Sequence, residues 1–382
     1  MTLDFTSEQH AFVDSIRAFA RRECGTREQR DALTKGGSDP HNQDIYERIA
    51  DLGWLGIGLP ERYGGSGGGA TDMCLLMEEC IRRRLPLRFM SVSLIVAGIY
   101  LRFGTEAQKQ EMLTNIINGA VQSIAMSEPE AGSDVANLSC RAERSGGGFI
   151  VNGHKTWITA AHKADHILLV CRTSRDGPKH AGLSMLSIPS DTEGIEIHRI
   201  DTLGDPEVND VYFTDCFVPE DRLIGEAGRA WEQLTAGLNH ERLIIAGFAL
   251  GLAQRSFDDL LAYVKVRNQF GRPIGSFQSI SHRIADLATE IECSRLLIYS
   301  VAAKTDADPD TSLPREASMA KLKASETAKR VALEGMQMMG GYGYTREFEM
   351  AQDVVEALPM TIYAGTSEVQ RGIIARTLGL KA

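Results

Sequence analysis

The 382-residue chain has no stretch of about 18 consecutive apolar residues, so no membrane-spanning helix and no membrane insertion are expected. It has no basic excess either. Lys and Arg number 41 against 51 Asp and Glu, a formal charge of −10, which argues against a nucleic-acid scaffold, although a few well-placed arginines can still hold an anion locally. Its seven cysteines are odd in number and contain no C-x-x-C pair, which excludes a disulfide framework and fits reduced, structural thiols. The opening residues MTLDFTSEQHAFVDSIRAF carry acids early and follow a helical apolar rhythm. They lack the charged start and apolar centre of a signal peptide, so a cytoplasmic location is expected. Internal repeats and low-complexity segments are also missing.

Three kinds of pattern remain along the chain. Helical periodicity covers residues 6–22, a segment carrying Ile45, Ile49 and Leu52, then Thr71–Arg84, Leu87–Phe103 and GTEAQKQEMLTNIINGA, with Met73, Leu76, Met77 and Cys80 read as core. The polar stretch Gly25–His41 shows little pattern. GWLGIGLPERYGGSGGGA, with eight glycines in eighteen residues, reads as a loop, and the run Arg82–Arg84 as a solvated helix end. From about residue 121 to 225 short β-type runs take over: FIVNGHKTWITAA, ADHILLVCRT, GLSMLSIPS, IEIHRI and NDVYFTDCFVP. Helices then return at about 229–268, 278–304, 315–339, 348–357 and 367–377. Strands and helices do not alternate, which removes a Rossmann fold. The fold class is α+β, with an N-terminal helical domain (1–120), a central β-barrel or sandwich domain (121–228) and a C-terminal four-helix bundle (229–382).

The first long C-terminal helix carries an acid where its pattern calls for an apolar residue. Leu234, Leu238, Ile245, Phe248 and Leu252 form a stripe at spacings of three and four, and Glu241 fills its gap. Two readings stay open: an ion pair with Arg242, Arg255 or another basic group, or a base whose desolvated carboxyl has a raised pKa. GRPIGSFQS, MMGGYGY and YAGTSEVQR are too rich in glycine for ordinary bundle turns, yet none has P-loop or GxGxxG spacing. They bind phosphate through exposed backbone, or they only turn the chain.

The motifs MSEPEAGSD (126–134), NGHKTWITAA (152–161), RNQFGRPIGSFQ (267–278), QMMGGYGY (337–344) and YAGTSEVQR (363–371) together resemble the acyl-CoA dehydrogenase family of flavoproteins over nearly the whole chain. The resemblance implies a homotetramer, or a dimer, with one FAD per subunit. It assigns Met126, Ser127, Ser133, Trp157 and Thr159 to the flavin side, with Ser133 also toward the substrate. Arg267, Phe270, Gln337 and Gly341 are assigned to FAD across a subunit boundary, with Arg267 on the pyrophosphate. Thr366 and Glu368 are further cofactor contacts. Residue by residue, a core aromatic remains the alternative for Trp157, a solvated charge for Arg267 and a helix cap for Ser367.

The family's usual glutamate base precedes GTSE, where this chain has Ala364. A methyl group cannot abstract a proton. NHERLIIA resembles the minority branch, typified by isovaleryl-CoA dehydrogenase, whose base lies on the long helix, which makes Glu241 the expected base. The Ala364 backbone N–H and the flavin ribityl hydroxyl then polarise the thioester carbonyl. Arg242 is assigned to the CoA arm, and Tyr363, Leu238 and residues 88–96 to the acyl pocket. The expected reaction makes a trans-2-enoyl-CoA from a branched, cyclic or otherwise non-linear acyl-CoA and passes electrons to an electron-transfer flavoprotein. An enoyl-CoA reductase and a non-catalytic flavin-binding homologue are the alternatives. No metal site is expected. Two places depart from the family pattern: Val355–Pro359, where proline should end or distort a helix, and residues 200–213.

Overall fold

The computed structural model describes residues 4–204, 207–309 and 311–380, without the side chains of Ala236 and Leu238. Six helices come first: α1 (Ser7–Cys24), α2 (Arg27–Leu33), α3 (Gln43–Asp51), α4 (Ala70–Arg82), α5 (Met90–Phe103) and α6 (Glu106–Ile117). Strands follow: β1 (Gln122–Ala125), β2 (Arg141–Ser145), β3 (Gly148–Thr159), β4 (His166–Arg172), β5 (Leu183–Pro189), β6 (Ile195–Arg199), β7 (Val208–Pro219) and β8 (Leu223–Ile224). The chain ends with α7 (Ala230–Val266), the short strands β9 (Asn268–Gln269) and β10 (Arg272–Pro273), then α8 (Gln278–Ala307), α9 (Pro314–Met339), α10 (Met350–Ala357) and α11 (Ser367–Thr377). The long helices and the five expected β runs are all present. Helix α2 lies in the stretch that showed little pattern.

Two compact units result, one of residues 1–32, 69–85 and 239–382, the other of residues 33–68 and 86–238. The N-terminal 120 residues therefore supply helices to both. In the second unit the strands form one sheet in the order β6-β7-β3-β2-β4-β5-β8, with β1 beside β4. The pairs β1–β4 and β2–β4 are parallel, and the others are antiparallel. Alternation along the strands turns Phe149, Val151, Ile167, Leu169, Leu186, Ile188, Val211 and Phe213 into one apolar core. Helix α5 is fastened beside β1, where Ser93 Oγ accepts from the Gln122 N–H at 3.0 Å, and to β5, where Tyr100 and Ser187 share a 2.6 Å hydrogen bond.

In the first unit α4 lies close against α7. A Cβ on Gly251 would sit 2.4 Å from the Glu78 carbonyl oxygen, so a side chain there would force the two helices apart. Arg82–Arg84 are not a solvated helix end. Arg82 pairs with Asp258 at 2.8 Å, Arg83 with Glu79 at 3.3 Å, and Arg84 with Asp353 at 2.7 Å. Asp353, with no exposed surface, also accepts from Arg255 and Ser256, while Arg255 reaches Glu356 at 2.6 Å. A charge run that looks solvated in sequence is paired on every side chain, and the partners of Arg82 and Arg84 lie 176 and 269 residues away, outside any local window.

The unusual segment before YAGTSE follows from the same network. Glu356 anchors α10 to α7, and α10 ends at Ala357 as proline chemistry requires. Pro359 opens a tight turn, Leu358–Thr361, at a position that needs no N–H, and its carbonyl accepts from Ile362 and Tyr363 at 2.8 and 3.0 Å.

Candidate active site

Lys321 organises the candidate site residues of the helical unit. It lies on α9 in a face of small residues, Ala317, Ala320, Ala324 and Ala328, all without exposed surface, as is Lys321 itself. Its Nζ donates to the carbonyls of Met360 (2.9 Å), Tyr363 (3.0 Å) and Gly365 (2.8 Å). Gln370, buried on α11, donates to the carbonyls of Ala364 (3.0 Å) and Gly365 (3.1 Å). The loop around Ala364 is thus gripped by side chains on both of the helices it lies against. Ala364 has φ +52 and Gly365 φ +77, a left-handed pair that glycine takes freely and alanine does not.

Glu241 stands on α7 with Ile245, Phe248 and Leu252 buried on its stripe. It keeps part of its surface open, yet desolvation pushes its carboxyl above the ordinary carboxylate range. The positive charges of Arg242 and Lys321 oppose that rise without cancelling it. Among the described residues no salt bridge joins Glu241 to a basic side chain, since Arg255 is committed to Asp353 and Glu356 and Arg242 donates to Asn239 Oδ1 at 3.1 Å; of the ion-pair reading, the longer-range influence of Arg242 and Lys321 remains. Burial pushes the Arg242 guanidinium down, with Glu241 acting in the opposite sense. Lys321 is brought down to about 8, by desolvation first, with the charge of Glu241 again opposing. One buried ammonium therefore bonds to the loop of Ala364 and acts electrostatically on Glu241.

The remaining expected residues of this unit lie at its surface. β9 and β10 form a hairpin whose turn, Phe270–Gly271, has φ +53 and +78, the geometry of a tight two-residue turn. Phe270 at its tip is 93% exposed, and the Arg267 guanidinium at its base lies 5.2 Å from the Tyr342 ring centre. Arg267 is thus stacked, which its solvated alternative did not include. Gln337 and Gly341 are exposed, and no atom would meet a Cβ on Gly341. Thr366, rather than Ser367, caps α11 by accepting from the Val369 N–H at 3.2 Å. Glu368 in the first turn is exposed, its carboxyl held low by backbone N–H and Thr366. Tyr363 is 37% exposed. The Leu238 side chain lies outside the described residues.

In the sheet unit, the β3–β7 register shifts between Lys155 and Ile158. That irregularity gives Trp157 φ +62 and leaves it 60% exposed, so it is not a core aromatic. The neighbouring loop is tied to the same strand: Lys155 donates to the Met126 carbonyl and to Glu128 Oε1, both at 2.8 Å, and the Thr156 N–H donates to the Ser127 carbonyl at 3.0 Å. Thr159 accepts from Ser123 Oγ at 2.6 Å. Met126, Ser127, Trp157 and Thr159 are therefore brought together, while Ser133 sits exposed further along the loop.

The sequence reading missed Lys321, Gln370, Lys155 and Glu128. Lys321 had a signal, since a lysine interrupting a small-residue face is the counterpart of Glu241 interrupting an apolar one. Glu128 and Gln370 had none, because backbone carbonyls and N–H groups leave no trace in residue identity.

These are features of one class of protein. The chain matches the acyl-CoA dehydrogenase N-terminal domain over residues 6–120, the middle domain over 123–216 and the C-terminal domain over 228–379. It belongs to the acyl-CoA dehydrogenase family. Among curated relatives, mitochondrial isovaleryl-CoA dehydrogenase of Arabidopsis thaliana is 35% identical, with 99% of this chain and 92% of that protein covered. A probable acyl-CoA dehydrogenase of Bacillus subtilis is also 35% identical, with 99% and 100% covered. The solved acyl-CoA dehydrogenase of Geobacillus kaustophilus superposes with a TM-score of 0.92 at 33% identity, covering both chains in full. No described helix is long and apolar enough to cross a membrane, and no described cluster of His, Cys, Asp and Glu suits a metal.

Proposed function

We propose that this FAD-dependent acyl-CoA dehydrogenase oxidises a branched, cyclic or otherwise non-linear acyl-CoA, with Glu241 as the base that removes the α-proton. One observation carries the reading: the buried Lys321 that grips the Ala364 loop also acts on a desolvated Glu241, so a proton acceptor and a backbone donor share one electrostatic setting. The residues present suit the cofactor. An exposed indole at Trp157, an arginine at Arg267 beside an uncovered glycine turn, and a groove of about 600 Å3 beside the α11 cap at Thr366 offer stacking, charge and backbone donors. Met126, Ser127, Ser133, Trp157, Thr159, Arg267, Phe270, Gln337, Gly341, Thr366 and Glu368 would hold it, Phe270 and its neighbours from an adjoining copy. Bound FAD supplies the acceptor for the β-hydride as the thioester becomes a trans-2-enoyl-CoA.

The chain's own part is acid–base and electrostatic. Ionised Glu241 takes the α-proton, and its raised pKa makes it a stronger acceptor than an ordinary carboxylate. The Ala364 N–H donates to the thioester oxygen as negative charge grows there. A methyl at 364 leaves space that a glutamate would fill, which favours a bulky acyl group. Arg242 and Tyr363 would bound the CoA arm and the acyl chain. Electrons would pass to an electron-transfer flavoprotein, and the assembly would be a cytoplasmic homotetramer.

Anaerobic mixing of the yellow holoenzyme with branched, cyclic and straight-chain acyl-CoAs tests the substrate class. Fastest flavin bleaching by a branched or cyclic thioester is expected. Equal or faster bleaching by straight chains would contradict it.

A further inference from the structure

The loop from Met360 to Gly365 is gripped by its carbonyls, and this decides where its N–H groups point. Lys321 takes the carbonyls of Met360, Tyr363 and Gly365, and Gln370 those of Ala364 and Gly365. No peptide among the described residues is cis. In a planar trans peptide the N–H points opposite to the C=O of the same unit. Because the Tyr363 carbonyl is aimed at Lys321, the Ala364 N–H is aimed away from it. The same holds for the Gly365 carbonyl and the Thr366 N–H. The grip must also offset a cost, since Ala364 sits at φ +52, where an L-residue persists only if its surroundings impose it.

A lysine suits this task. Its ammonium carries three donors at tetrahedral angles, one for each carbonyl, whereas an arginine fork is planar and a methionine of similar length has no donor.

We propose that Lys321 is a positioning residue for the dehydrogenation: by gripping three loop carbonyls it fixes the Ala364 N–H in the direction from which it polarises the substrate thioester. The inference rests on the dehydrogenase reading above, in which that N–H is the donor. It separates two roles within one loop. Ala364 supplies the hydrogen bond, and Lys321, without touching substrate, supplies its direction.

The test uses FAD-loaded holoenzyme with an enoyl-CoA product labelled with carbon-13 at the thioester carbonyl. The carbonyl stretch of the bound molecule reads polarisation directly, in a state where no turnover occurs. Wild type and E241Q should show the same downshift relative to free enoyl-CoA, since in the dehydrogenase reading Glu241 acts on the α-proton and not on the carbonyl oxygen. K321M should lose at least half of that downshift and lose kcat by about 10- to 100-fold, less than a full oxyanion donor is worth, with KM changed by no more than about threefold. K321R, which keeps the charge but not the tetrahedral grip, should resemble K321M. Should K321M fail to fold with FAD, K321R and Q370M, which removes the second grip, carry the same expectation of a reduced downshift. A full downshift in folded Lys321 variants would overturn the positioning role and leave the dehydrogenase reading intact. No downshift in wild type would overturn the Ala364 donor itself, and with it the premise.

Discussion

Two lysines without exposed surface, Lys155 in the sheet unit and Lys321 in the helical unit, serve the molecule in opposite ways. Lys155 meets a carboxylate. Burial alone would raise the Glu128 carboxyl, but Lys155 and the N–H groups of Ser139 and Cys140 bring it below its ordinary range. The pair is closed: each charge answers the other, and the ring of hydrogen bonds fixes the loop of Met126 to the strand of Trp157. Lys321 meets only carbonyl dipoles at hydrogen-bond distance, and the charge that acts on it most strongly is that of Glu241. A paired buried lysine builds structure. One bonded to neutral carbonyls still projects its charge, and at this site that charge falls on the proposed base.

The comparison breaks most visibly in stability. Lys155→Met should cost about 3–5 kcal/mol in chemical denaturation, because it leaves the Glu128 carboxylate buried without its counter-charge. A loss under about 1 kcal/mol would mean the pair is not the closed unit described.

Lys321 should announce itself through pH. Its folded pKa of about 8 lies below the unfolded 10.5, so between those values the unfolded chain holds a proton that the folded chain does not. Stability from this group is therefore present above pH 10.5 and lost as pH falls through about 8. Wild type should thus lose roughly 3 kcal/mol of stability relative to Lys321→Met as pH falls across that window. A gap independent of pH would show that the ammonium is not desolvated.

A smaller effect concerns catalysis. Glu241 must be ionised to accept a proton, so kcat/KM should rise with pH through an acid limb above the ordinary carboxylate range. Removing the Lys321 charge should move that limb to higher pH, whereas Lys155→Met should leave its position unchanged. A limb that moves down, or does not move, would uncouple Lys321 from the base.

How much of this was legible beforehand depends on whether residue identity carries the signal. Glu241 was visible because one acid interrupts a long apolar stripe, and Ala364 because a methyl replaces an expected carboxyl. Strand β2 was missed because only Ala142 of RAERS is buried, too little contrast to show alternation, and α2 because none of its residues is buried. The roles of Arg84 and Arg255 depend on Asp353, 269 and 98 residues away, which no local window contains. Exposure of Trp157 follows from a register shift and a left-handed backbone rather than from the tryptophan itself. The grip on the Ala364 loop was hidden for the plainest reason, since its acceptors are backbone atoms common to every residue.

The most direct measurement is anaerobic single-turnover bleaching of the bound flavin by a reactive acyl-CoA, in wild type and in Glu241→Gln. The account predicts that Glu241→Gln keeps its FAD and binds the thioester, yet bleaches at least about 100-fold more slowly, as loss of a general base requires. Bleaching at the wild-type rate would contradict it, because the proton would then leave by another route and Glu241 would not be the base.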